Sequence, residues 1–306
     1  MAAAGAGLVV DSMAADVVSA LRDAGIESIL LKGASFDRWL YDPDAPRIYS
    51  DVDLLIDRRE LHRVAAVLSE IGFAQPQAEL RPTHTDHATV WRREPDRLEV
   101  DLHHRMVGVP AAVDAWQVLP SETETMQIGG RELRVLNPAA RAVHIALHAA
   151  EHGVQGEKSL FDLERALQRL PEPTWRSAAA VAARLEATEA FAAGLRLLPE
   201  GGALALRLGL PEDRSVETVM WNQSVPYSSW FVNRLANTPG VAAKLRLLAR
   251  RVAPEPEFMR AWYPVARRGP IGLALSYGWR LLWLAAHVAP AVAAWLRARR
   301  EARRAG

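Results

Sequence analysis

The 306-residue chain contains no cysteine, which excludes disulfides, zinc–thiolate sites and thiol nucleophiles. Lysine is almost missing too: three, at positions 32, 158 and 244, stand against thirty-four arginines. Residues 1–11 lack the basic start and longer apolar core of a secretory signal, so a cytoplasmic location is the expectation. The most apolar stretch, Ile271 to Leu296, is interrupted by Arg280, and its longest uncharged run, 281–296, is shorter than the roughly 18 residues that a membrane span needs. A buried or surface-lying helix is expected there, and its tryptophans and basic flank also suit peripheral contact with a membrane. A net charge of one sign is absent as well, the total being +1. That balance hides a split, because thirteen Lys or Arg from Lys244 onward face only Glu255, Glu257 and Glu301, leaving +10 in the tail and −9 before it. Such a tail is either a solvated helix end or a surface for a polyanion or a membrane.

What is present is a chain long enough for one large or two ordinary domains. Residues 12–24 have helical spacing, with Met13, Val17, Val18 and Leu21 on one face and Gly25 as the stop. A strand over Ile26–Leu31, a short helix over Ala34–Leu40 and a turn-rich loop around Pro43 and Pro46 lead to Arg47. An amphipathic helix follows over Arg58–Ile71. A hairpin pairs Ala88–Arg93 with Arg97–His103 around Glu94, Pro95 and Asp96, and another turns at Gly129-Gly130. After Asn137-Pro138 the pattern becomes alanine- and leucine-rich helices, over Pro138–Gly153, Leu160–Leu170, Trp175–Leu198 and beyond. The division is therefore expected at residue 136, with a core over 1–136 and a helical domain over 137–306.

The most informative run is Arg47-Ile48-Tyr49-Ser50-Asp51-Val52-Asp53-Leu54-Leu55-Ile56. Two carboxylates two residues apart on a strand share one face. Like charges so close repel unless a cation lies between them, and hard oxygen ligands favour Mg2+ or Mn2+. Arg47 either grips phosphate with its planar fork or pairs with Asp42, Asp44 or Asp57. Ser50 either bonds the substrate or starts the strand. A lysine at 32, in a chain that otherwise uses arginine, suits a point contact with phosphate.

Lys32-Gly33-Ala34-Ser35, a short helix and then Arg47 with Ser50-Asp51-Val52-Asp53-Leu54-Leu55 resemble the core of the DNA-polymerase-β-type nucleotidyltransferases. The likeness is nearest to bacterial nucleotidyltransferase-family proteins and more distant to the toxin-type enzymes with a Lys-Gly-Gly loop. It covers about residues 26–104. It implies an α+β fold, with a polymerase-β-like mixed sheet and flanking helices followed by an all-helical C-terminal domain. It also implies a Gly-Ser loop against a triphosphate such as ATP, although here the serine is displaced by one position to Ser35, which serves equally as a helix N-cap. Gly33 fits the turn. Asp51 and Asp53 would hold the metals, and Asp101, in Val100-Asp101-Leu102-His103, would be the third ligand or general base, with Glu99 in reserve. Glu99, Asp101 and His103 alternate onto one face of their strand, where His103 would support Asp101. Asp162 falls where relatives carry an Asp on the next helix and would position a histidine.

His144, His148 and His152 recur at spacing four along one helix face. Three histidines so strung spread too far to share one ion, and a zinc site there would need a third or fourth ligand in the right geometry; otherwise they line the cleft or pack as ordinary helix residues. The resemblance implies transfer of a nucleoside monophosphate from a triphosphate to an acceptor hydroxyl on a small molecule, an RNA or a protein. Two other readings stand beside it: a catalytically silent nucleotide- or partner-binding module of the same fold, and a toxin-like transferase acting on tRNA.

Overall fold

In the computed structural model, residues 2–75, 88–94, 96–110, 112–212, 216–222 and 225–304 are described. The chain forms two compact units, one of residues 1–76 and 83–213, the other of 77–82 and 214–306.

The first unit is built on a seven-stranded sheet of β1 (Ser28–Leu30), β2 (Asp51–Ile56), β3 (Phe73–Ala74), β4 (Ala88–Arg93), β5 (Leu98–His103), β6 (Thr123–Ile128) and β7 (Arg131–Leu136) in the order β3-β4-β5-β2-β1-β7-β6. It is mixed: β2 runs parallel to β5 and β1 parallel to β7, while the other neighbours are antiparallel. Both expected hairpins pair, β4 with β5 and β6 with β7, the second turning through Gly129 and Gly130 with φ of 57° and 76°, the left-handed pair that a two-residue turn requires. Pro95, expected in the turn of the first, lies outside the described residues.

Period-two alternation sorts the strands onto two cores. Leu30, Val52, Leu54, Ile56, Val100 and Leu102 pack with α1 (Ala2–Asp23) and α3 (Leu61–Glu70) on one side. Ile29, Leu31 and Leu55 face the other side, with α2 (Ala34–Leu40) and α4 (Pro138–His152). Asp51 and Asp53, in phase with Leu55, therefore lie on the α4 side. The helical segment that follows the sheet opens as its sequence suggests: Asn137 Oδ1 accepts from the Ala140 amide at 3.0 Å and Pro138 takes the first turn. The residue-136 boundary falls inside this unit, since α4 packs on β7 and on the helices after it.

Those helices are α5 (Glu157–Arg169), α6 (Glu172–Arg184), α7 (Thr188–Leu195) and α8 (Pro199–Arg207). The single helix expected over Trp175–Leu198 is thus two. Glu186 takes φ of 52°, and the Ala187 amide reaches back to the Ala182 carbonyl at 2.8 Å. This is the left-handed closure that usually carries glycine; without one, the break is silent in the sequence. Where α7 crosses α4, Gly194 touches the backbone, and a Cβ there would run into the Ala146 carbonyl.

The second unit contains α9 (Val216–Asn222), α10 (Tyr227–Asn237), α11 (Val241–Val252), α12 (Pro256–Trp262) and the long α13 (Pro270–Arg304). Ala291, Ala294 and Ala298 give α13 a buried stripe, and Trp295 Nε1 donates to Asn233 Oδ1 at 2.9 Å. Counted past Arg280, α13 is long and apolar enough to cross a membrane, by length and composition only, although its uncharged run alone is too short, and 17% of its most apolar window is buried. Arg297, Arg299, Arg300 and Arg303 are exposed.

Gly194→Ala should force α4 and α7 apart and cost about 1–3 kcal/mol, the usual penalty of overpacking. A urea unfolding series compared with Gly202→Ala, where an added Cβ meets open space, checks this.

Candidate active site

The floor of the site is the parallel pair β2/β5. Its register sets Asp51 beside Glu99, Asp53 beside Asp101 and Leu55 beside His103. Carboxylate oxygens of Asp53 and Asp101 and a ring nitrogen of His103 all lie within 4.8 Å of one another. Asp53 Oδ1 accepts from Lys32 Nζ at 2.8 Å and from His103 Nε2 at 2.9 Å. His103 therefore supports Asp53, not the expected Asp101: it stands diagonal to Asp53 across the β2/β5 pair, on the same sheet face.

The charges of the site are unevenly matched. Burial opposes ionisation of Asp53, yet the Lys32 ammonium and the His103 hydrogen bond outweigh it and hold the carboxyl far below its usual range. Among the described residues Asp101 has no such donor; burial, then the charges of Asp53 and Asp51, push it up to about 7. A group raised in this way is one that a bound cation would return to its charged form. Asp53 and Asp101, with the His103 ring beside them, thus form a group that could hold a divalent ion, and Asp51 stands on the same face of β2, lining the same hollow as Asp53. Burial works against the Lys32 charge too, and Asp53 followed by Asp51 and Asp101 more than offsets it, raising the ammonium above its ordinary value.

Lys32 reaches Asp53 because the chain turns sharply after β1. Gly33 has φ of 59°, and a Cβ on it would lie 3.2 Å from Tyr49 Cδ2; Tyr49 is itself fixed by its hydroxyl donating to Asp11 Oδ1 at 2.7 Å. Gly33, not Ser35, is the N-cap of α2. Ser35 is fully buried and its Oγ has no hydrogen-bond partner among the described residues, so the displaced serine neither caps the helix nor faces the cleft. Ser50 is exposed just ahead of β2. Glu99 turns to Arg92, whose Nε donates to it at 2.7 Å.

Arg47 is buried and its fork is held by Asp162, Nε and Nη2 each donating at 2.8 Å. Tyr41 Oη adds a third bond to Asp162 at 2.6 Å. The partner of Arg47 is therefore none of Asp42, Asp44 and Asp57, and Asp162 positions an arginine and a tyrosine, not a histidine.

Two adjoining hollows open over this floor. The larger, about 390 Å³, is lined by Lys32, Arg47, Asp51, Asp53 and Lys158 among others. The smaller, about 180 Å³, is lined by Asp101, His103 and Met106 and, from α4, by His144, His148, Glu151 and His152. Burial holds the His144 and His148 rings neutral, well below the usual histidine range. Lys158 and Glu151 were not singled out by sequence reasoning. For Lys158 a signal existed: two of only three lysines in the chain meet at one cavity.

The family described as uncharacterised nucleotidyltransferase matches residues 2–200. No curated protein matches the chain. Among solved structures, the antibiotic-resistance factor ANT(2'')-Ia aligns at 16% identity over 62% of this chain and 97% of its own, with a TM-score of 0.42. The lincomycin-bound lincosamide antibiotic adenylyltransferase LnuA aligns at 13% over 49% and 91%, at 0.33. An antigenic nucleotidyltransferase-like protein from Paracoccidioides brasiliensis aligns at 19% over 59% and 92%, at 0.35.

Asp162→Ala leaves the Arg47 charge buried alone, and should lower unfolding free energy by about 3–5 kcal/mol. Adding Arg47→Met should recover much of that loss, since removing both charges is far less costly than removing one; denaturant midpoints of the single and double variants decide it.

Proposed function

Because the chain belongs to the family of uncharacterised nucleotidyltransferases, matched over residues 2–200, we propose that it transfers a nucleoside monophosphate from a nucleoside triphosphate to an acceptor hydroxyl and releases pyrophosphate. The observation that carries this reading is the convergence of Asp53 and Asp101 from neighbouring parallel strands, with Lys32 on Asp53. Asp51, Asp53 and Asp101 would hold Mg2+ or Mn2+, which supplies positive charge to the reacting phosphate and the leaving group.

The triphosphate suits the larger hollow, where Lys32, Arg47 and Lys158 set three cations beside Asp51 and Asp53. Arg47 spends Nε and Nη2 on Asp162, so its Nη1 edge is left to face phosphate while the rest of the fork stays fixed. The acceptor suits the smaller hollow, whose wall mixes Asp101 and His103 with the apolar Val90, Met106 and Leu147. Asp101 takes the proton of the acceptor hydroxyl as its oxygen attacks the α-phosphorus. The bond from that phosphorus to the bridging oxygen breaks, and pyrophosphate leaves with the electron pair against the cationic side chains. His103 keeps Asp53 oriented through its 2.9 Å bond.

Asp51→Asn and Asp53→Asn should each lower magnesium-dependent pyrophosphate release by more than about a thousandfold, the scale of several kcal/mol of lost charge stabilisation, with circular dichroism unchanged. Turnover equal to that of the parent chain in both variants would remove the assignment.

A further inference from the structure

The C-terminal turn of α4 carries a group to which the proposed transfer assigns no step. His148, Glu151 and His152 follow the spacing i, i+3, i+4, which sets three side chains on one helix face. The Nε2 atoms of His148 and His152 are 3.1 Å apart, and Glu151 Oε2 lies 3.9 Å from His152 Nε2. All three ligand atoms fall within 4.8 Å of one another.

We propose that His148, Glu151 and His152 bind one borderline transition-metal ion of the Zn2+ type, at a site separate from the aspartates of the sheet. Two nitrogens at about 2.0–2.1 Å from a common ion lie roughly 2.9 Å apart at a right angle and 3.4 Å apart at the tetrahedral angle, and the observed 3.1 Å falls between. Three histidines do not reach one ion, as their spacing requires, since the His144 and His148 ring centres are 6.3 Å apart; two of them with the intervening glutamate do. Two imidazoles and a carboxylate select zinc, cobalt or nickel over magnesium, which prefers oxygen alone. Among the described residues, the His152 ring, whose protonated form burial disfavours, is the only basic side chain whose nitrogen comes within 4 Å of the Glu151 carboxylate. All three side chains line the smaller hollow with Asp101 and His103. The coordination position that the protein leaves open is filled there by water or by an oxygen of the acceptor.

The test uses the untagged full chain, stripped with a chelator and titrated with ZnCl2 in excess MgCl2, by calorimetry and, with CoCl2 in its place, by visible absorption. One ion per chain and the intense bands of a low-coordinate, nitrogen-ligated Co2+ are expected. His152→Ala, at an exposed position, and Glu151→Gln should each weaken Zn2+ binding by about a hundredfold or more, at least as much as loss of an outer-shell partner. Asp53→Asn should leave it unchanged. No Zn2+ uptake, uptake that survives in both α4 variants, or uptake abolished by Asp53→Asn instead would overturn the proposal. Because the readout is binding, failure here leaves the nucleotidyl-transfer reading standing, and the reverse also holds.

Discussion

Everything at the centre of this protein depends on the parallel pairing of β2 with β5, which forces Asp53 and Asp101 side by side. Two carboxylates at adjacent positions of one sheet face are unfavourable without positive charge near them. The fold answers on one side only: Lys32 and His103 both bond Asp53, so the strain of like charge collects on Asp101. That asymmetry separates the two groups into a fixed anion and one that is far more readily protonated. It arises from three neighbouring elements, β1 with its Gly33 turn, β2 and β5.

The second wall of the cleft is α4, and its position is set by contacts that carry no chemistry themselves. Gly194 lets α7 lie against the α4 backbone, Asn137 caps its start, and the alanines that crowd this part of the sequence are the small residues which such close helix packing requires. On the opposite rim, the clamp from Arg47 to Asp162 fastens the loop before β2 to α5. The loop thereby gains a rigid arginine, and α5 brings Lys158 to the same cavity.

The sheet and its acidic centre were legible because each rests on a local rule. Alternation placed Asp51 and Asp53 on one face, Gly129-Gly130 announced a hairpin, and Asn137-Pro138 announced a helix start. What stayed hidden was decided by non-local or unusual geometry. Nothing near Asp162 says that its partner stands 115 positions earlier. Glu186 closes a helix with a conformation that its side chain does not advertise. Ser35 looked like part of a phosphate loop, but the displacement by one residue turns it into the core, since a helix of 3.6 residues per turn swings each successive side chain by about 100°.

The strand order has a kinetic side. β1 lies in the middle of the sheet, yet one of its two neighbours is β7, so that Leu30 waits for Val135. β2 likewise waits for β5 across the whole of α3 and the first hairpin. Pairings of such long range pay loop-closure entropy before they return any contact energy, and they form slowly. On the ribosome, the acidic centre therefore stays unassembled until the chain has been made through β5, and the strand beneath Lys32 keeps an open edge until β7 has emerged.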